Sequence, residues 1–120
     1  MDLRERLIVA LDLPSKKEAM EFVDRLGNKV AFYKVGSQLF TKEGPAVVRE
    51  LKERGKKVFL DLKFHDIPNT VAESVVAAAC LGADIVSLHS FGGFEMMESA
   101  AKRLWQLDAP TKPLLLAVTI

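Results

Sequence analysis

Lys57-Val58-Phe59-Leu60-Asp61-Leu62-Lys63 is the stretch on which the fold turns. Val58, Phe59, Leu60 and Leu62 make it a short strand. It lacks clean apolar/polar alternation, as expected when both faces of a strand are covered in a parallel sheet. After the turn Phe64–Ile67, Pro68 fits the first turn of a helix. Thr70 and Glu73 within that helix have capping-box spacing, and Gly82 ends it. A second strand follows at once, Asp84-Ile85-Val86-Ser87-Leu88-His89. Strand, helix and strand in so short a span form a βαβ unit, whose two strands run parallel.

The same unit repeats on either side. Leu7-Ile8-Val9-Ala10-Leu11 reads as a strand ending at Asp12. Ser15 and Glu18 form a capping box for a helix bearing Met20, Phe22, Val23 and Leu26, with Gly27 as its left-handed stop. A second strand runs near Val30–Val35 and contains Lys34. Pro45 opens a helix carrying Val47, Val48 and Leu51, which stops at Gly55. Beyond His89, a helix beginning near Gly93 carries Phe94, Met97, Ala100, Ala101, Leu104 and Trp105. Leu114–Ile120 reads as a last strand.

The pattern is βαβαβαβαβ, an α/β fold. Strand starts near residues 7, 30, 57, 84 and 113 lie 23 to 29 apart. Eight such units would need roughly 215 residues, the size of a (β/α)8 TIM barrel. The expectation is a single partial barrel domain over residues 1–120, truncated at its C-terminal side, with about four βα units plus the fifth strand. A doubly wound open sheet is the alternative. Its dinucleotide fingerprint is absent, because Asp12-Leu13-Pro14-Ser15 has no glycine for a pyrophosphate.

Composition excludes several classes of function. With a net charge of +1, no global field points to nucleic acid or an anionic membrane. The basic stretch Arg49–Lys57 is interleaved with Glu50 and Glu53 and reads as a solvated helix face. No apolar run approaches the roughly 20 residues that span a bilayer. The start, Met1-Asp2-Leu3-Arg4-Glu5-Arg6, does not resemble a signal peptide, so the cytoplasm is expected. The single cysteine, Cys80, rules out an internal disulfide and is expected to be a buried structural thiol.

Polar residues gather at the strand ends: Asp12, Lys34, Asp61, Lys63, His89 and Thr119. In (β/α)8 enzymes the catalytic groups come from the C-terminal ends of several strands. Asp61 and Lys63 are two apart and share one face of their strand, while Leu60 and Leu62 point toward the helices. A buried Lys63 would lose its proton unless carboxylates held it charged; Asp61 and Asp66 are placed to do so, with Lys34 balancing Asp61. Such an array can keep an ammonium poised as a proton donor. A plain ion pair explains less, because buried pairs give little net stability.

Asp61-Leu62-Lys63-Phe64-His65-Asp66-Ile67-Pro68-Asn69-Thr70 resembles the Asp-x-Lys-x-x-Asp signature of the orotidine 5′-phosphate decarboxylase family. Ile8-Val9-Ala10-Leu11-Asp12 and Phe32-Tyr33-Lys34-Val35-Gly36 agree with the same family, so the resemblance runs through the whole chain in order. It implies decarboxylation of orotidine 5′-monophosphate to UMP, a step of de novo pyrimidine biosynthesis, without metal or organic cofactor. It implies that Asp61 sits against the substrate carboxylate and that Lys63 protonates C6. Asp12 and Lys34 would hold the ribose hydroxyls, with Lys34 paired to Asp61; Thr119 is expected among the substrate-binding residues from its place at the last strand's end. Asp66, Ile67 and Thr70 would reach the neighbouring subunit's site, so a homodimer is expected. His89 would act only through neighbouring groups, and His65 would be structural or at the interface. A base-contacting serine just past the fifth strand, and the glutamine and arginine of later β–α loops that grip the phosphate, would lie beyond these 120 residues. The fragment alone is therefore expected to be inactive.

Two other readings stay open. Magnesium-dependent phosphosugar decarboxylases and aldolases of a sister family share Asp-x-Lys-x-x-Asp but typically carry a glutamate at the second strand end. Lys34 stands there instead, adding positive charge where magnesium needs oxygen ligands. The other reading is a non-catalytic half-barrel that self-associates through its open edges.

Overall fold

The computed structural model describes residues 2–120. Its strands and helices are β1 (Val9–Ala10), α1 (Lys16–Leu26), β2 (Phe32–Gly36), α2 (Ser37–Glu43), α3 (Pro45–Glu53), β3 (Lys57–Phe64), α4 (Pro68–Cys80), β4 (Ile85–His89), α5 (Phe94–Gln106) and β5 (Leu114–Val118). The sheet keeps chain order, β1-β2-β3-β4-β5, and the β1–β2 and β4–β5 pairs are parallel. This is the alternation of the (β/α)8 barrel family, carried through four βα units and a fifth strand. The chain divides into two compact units within β3, between Phe59 and Leu60.

In the first unit, Ser15 caps α1 as its sequence requires, accepting from the Glu18 N–H at 3.2 Å. The return bond runs from the Ser15 hydroxyl to the Glu18 carboxylate at 3.3 Å, rather than from the Ser15 backbone. Ala19, Met20 and Val23 form the buried face of α1, and Val47, Val48 and Leu51 that of α3. β1 is shorter than the apolar run Leu7–Leu11 suggests. Leu3–Arg6 forms a 3₁₀ turn capped by Asp2, and pairing begins only at Val9↔Tyr33. Helix α2 has no counterpart in the sequence reading. It fits between Gly36 and Gly44, buries Leu39, and has no side-chain cap, so it leaves little periodic signal. Gly44 at φ 69 and ψ −161 ends α2 and starts α3, a conformation essentially reserved for glycine.

In the second unit, α4 buries Val71, Ala72, Val75 and Ala78. The capping box at Thr70 and Glu73 does not form. Pro68 starts the helix and Ile67 is its uncapped N-terminal residue, so Thr70 already lies inside the first turn. Glu73 instead pairs with Arg103 of α5 at 3.0 Å. Cys80 is exposed, not buried. It lies two residues past Ala78, about 200° round the helix from that buried position. Helix α5 bears out only part of the expected stripe, at Ala100 and Leu104. Met96, Ala100 and Leu104 are buried, while Phe94 and Trp105 are 73% and 81% exposed. β5 stops at Val118, which leaves Thr119 and Ile120 beyond the strand.

Candidate active site

The second unit builds a compact polar array at the C-terminal end of β3. Asp61 is buried in a strand otherwise lined by Val58 and Leu60. Its carboxylate has a separate partner for each oxygen. Oδ2 accepts from Lys63 Nζ at 2.9 Å, and Oδ1 accepts from the Ser87 hydroxyl at 2.7 Å. The Ser87 oxygen also accepts from the Lys63 backbone N–H at 2.9 Å. The expected sharing of one face by Asp61 and Lys63 thus becomes a direct ion pair.

Two features of Lys63 differ from expectation. Its side chain is 49% exposed, not buried. The open side leaves the ammonium accessible to a ligand while Asp61 anchors it. Lys63 is also the only non-glycine among the described residues with a positive φ, at 49°. A side-chain-bearing residue in this region costs on the order of 1–3 kcal/mol, and such residues cluster at functional sites. Here the strain falls on the residue that chemistry singles out.

Around this array, the His89 ring stacks on His65 with centroids 5.8 Å apart. Its Nδ1 accepts from the Phe91 N–H at 3.1 Å, and Nε2 lies 2.9 Å from the Ile120 carbonyl. With Nδ1 accepting, Nε2 carries the proton and donates to that carbonyl. Asp66, Ile67 and Thr70 are all exposed. Asp66 Oδ1 accepts from the Ile67 N–H at 2.6 Å, a bond within its own turn. Thr119 is exposed just past β5.

The first unit carries the two remaining candidates. Asp12 is exposed directly after β1, beyond Leu11, whose N–H donates to the Lys34 carbonyl at 2.9 Å. Lys34 is half-buried on β2, in register with Ala10. Tyr33, its neighbour on the opposite face of the strand, is fully buried.

Comparison with known proteins fits this arrangement. The model of the "Orotidine 5'-phosphate decarboxylase / HUMPS family" matches residues 5–120. The chain belongs to that family. An orotidine 5′-phosphate decarboxylase of Syntrophotalea carbinolica is 49% identical, over 100% of this chain and 50% of its own length. One from Bacillus cytotoxicus is 45% identical, over 98% of this chain and 50% of its own length. Among solved structures, an orotidine 5′-phosphate decarboxylase from Lactobacillus acidophilus superposes with a TM-score of 0.86 at 42% identity, covering 95% of this chain and 52% of that one. The chain therefore spans about half the length of the relatives it matches. Ser87 lies outside the family's signature, on β4, and the sequence reading does not single it out. Its signal was a lone hydroxyl between Val86 and Leu88 in an apolar strand. The positive φ of Lys63 had no signal at all, because lysine has no preference for that conformation.

Proposed function

We propose that the full-length protein bearing this sequence decarboxylates orotidine 5′-monophosphate to UMP, as a cytoplasmic enzyme that uses no metal or organic cofactor. The observation that carries this reading is the Asp61–Lys63–Ser87 array, with a strained lysine at the C-terminal end of a parallel strand. Residues 1–120 then form part of one barrel domain, and the substrate's phosphate is held by later loops.

The proposed chemistry assigns each group a role. The bond between C6 and the substrate carboxylate breaks heterolytically, carbon dioxide leaves, and the electron pair remains on C6. Lys63 Nζ stabilises that charge and delivers its proton to C6, and solvent then restores the ammonium. Asp61 lies against the departing carboxylate and fixes Lys63. Positive charge preorganised where carbanion character develops favours the transition state over the ground state. Asp12 and Lys34 bind the ribose hydroxyls, Lys34 balances Asp61, and Thr119 contributes at the substrate rim. Asp66, Ile67 and Thr70 complete the site of the second subunit in a homodimer. Their exposure, together with the absence of a Lys63 contact from Asp66 among the described bonds, suits that outward role.

The test is direct. The full-length protein should convert orotidine 5′-monophosphate to UMP, followed by loss of substrate absorbance, and EDTA should leave the rate unchanged. Lys63→Ala should remove turnover while preserving the fold, since deletion of a half-exposed side chain costs little packing. Turnover within tenfold of the parent would remove Lys63 as proton donor. Activity abolished by EDTA and restored by magnesium would transfer the protein to the phosphosugar branch.

A further inference from the structure

We infer that Ser87 is a positioning residue for the proposed decarboxylation, setting both the Asp61 carboxylate and the backbone of Lys63. The inference rests on the functional reading above and adds a residue that the family signature does not contain. Ser87 is fully buried in the middle of β4, flanked by the apolar Val86 and Leu88. A serine there needs partners for its hydroxyl, which offers one donor and two acceptor sites. It donates to Asp61 Oδ1 at 2.7 Å and accepts from the Lys63 N–H at 2.9 Å. Asp61 Oδ2 meets Lys63 Nζ at 2.9 Å. The three residues thus close a ring of hydrogen bonds in which a single oxygen on β4 governs two positions of β3.

That ring has two consequences for the ammonium. With one oxygen bound to Ser87, the Asp61 carboxylate cannot turn about its last torsion, so Oδ2 stays aimed at Nζ. At φ 49 the Lys63 peptide departs from strand geometry, and the Ser87 oxygen receives its N–H there. Without the hydroxyl, Oδ1 and this N–H each lose a partner. Lys63 is then free to relax toward an ordinary strand conformation that re-aims its side chain. A misplacement of about 1 Å in a reacting group costs on the order of 100-fold in rate.

The experiment uses the full-length protein with Ser87→Ala, Ser87→Cys and Ser87→Thr. Turnover of orotidine 5′-monophosphate is measured per folded molecule, and the folded fraction is taken from thermal melting. Cysteine nearly matches serine in size but hydrogen-bonds weakly, whereas threonine keeps the hydroxyl. The expected result is a fall in kcat of about 10- to 100-fold for alanine and cysteine with KM changed less than about threefold, and at least a tenfold recovery in threonine over alanine. If alanine does not fold, the size-matched cysteine variant decides. A kcat per folded molecule within threefold of the parent, with only the melting temperature lowered, would reduce Ser87 to a structural residue and overturn the inference. Equal rates in the cysteine and threonine variants would overturn it too. A parent that never decarboxylates this substrate would sink the functional reading and this inference together, whereas an active parent with unimpaired serine variants sinks only the latter.

Discussion

At the scale of single residues, the contrast between Asp61 and Tyr33 shows how differently buried polar groups are handled. Asp61 is buried with both oxygens bonded, so its charge is compensated. Tyr33 is just as deep, yet its hydroxyl has no hydrogen-bond partner among the described residues. Burial pushes the Tyr33 phenol above its ordinary value, and the nearby Asp24 carboxylate adds to the shift. A raised pKa in the folded state means stability that is complete below the unfolded value of 10.0 and declines as pH rises past it. The unfolded phenol ionises there, while the folded one resists. Tyr33→Phe removes an unsatisfied hydroxyl and keeps the ring. The full-length variant should therefore be unchanged or up to about 1 kcal/mol more stable at neutral pH, and its alkaline loss of stability should be shallower. Urea titrations at pH 7 and above pH 10 check both; a loss of more than about 2 kcal/mol at neutrality would mean the hydroxyl has a partner after all.

At the scale of elements, strand–helix alternation was legible because β-branched runs and helix punctuation agree locally. Ser15, Gly27 and Pro45 sit where their capping and breaking preferences require. Where two signals competed, the stronger backbone constraint won: Pro68 set the start of α4 and displaced the Thr70–Glu73 box. On α5 the sequence points correctly to Ala100 and Leu104 but to Met97 in place of Met96, since the two methionines are chemically identical and only packing chooses between them. The Asp61–Lys63 pair was legible from two-residue spacing, but the hydroxyl that completes it comes from another strand and needs the register. Glycine offers a test at this scale. Gly93 precedes α5 at φ 93 and ψ 169, in a region closed to side-chain-bearing residues, although a Cβ there would meet no atom within 4 Å. Gly93→Ala should thus destabilise the full-length protein by about 1–3 kcal/mol through backbone strain alone. Chemical denaturation giving a change below about 0.5 kcal/mol would show that the turn relaxes freely.

At the scale of the whole molecule, the question is what residues 1–120 do without the other half found in the relatives. β1 and β5 stand at the two ends of the strand order, each with one neighbour. Edge strands with unpaired backbone groups are templates for association unless something covers them. The side chains add to this: Leu7 is 54% exposed next to β1, and Leu114 and Leu116 on β5 are 70% and 46% exposed. In a complete barrel the remaining strands would pair with both edges and shield these apolar groups. A polypeptide of residues 1–120 alone should therefore self-associate, and light scattering should give a mass well above 13.3 kDa. Its chemistry should fail as well. The Asp61–Lys63–Ser87 array lies within the 120 residues, but the phosphate-gripping loops proposed to supply remote binding energy do not. Binding energy from non-reacting parts of a substrate is what holds the reacting centre in place, so its loss lowers turnover and not affinity alone. The fragment should show no measurable decarboxylation and only weak UMP binding. A monodisperse 13.3 kDa species would refute the edge argument. Turnover by the purified fragment would show that the array acts without phosphate anchoring, and would move the source of catalysis to the three residues themselves.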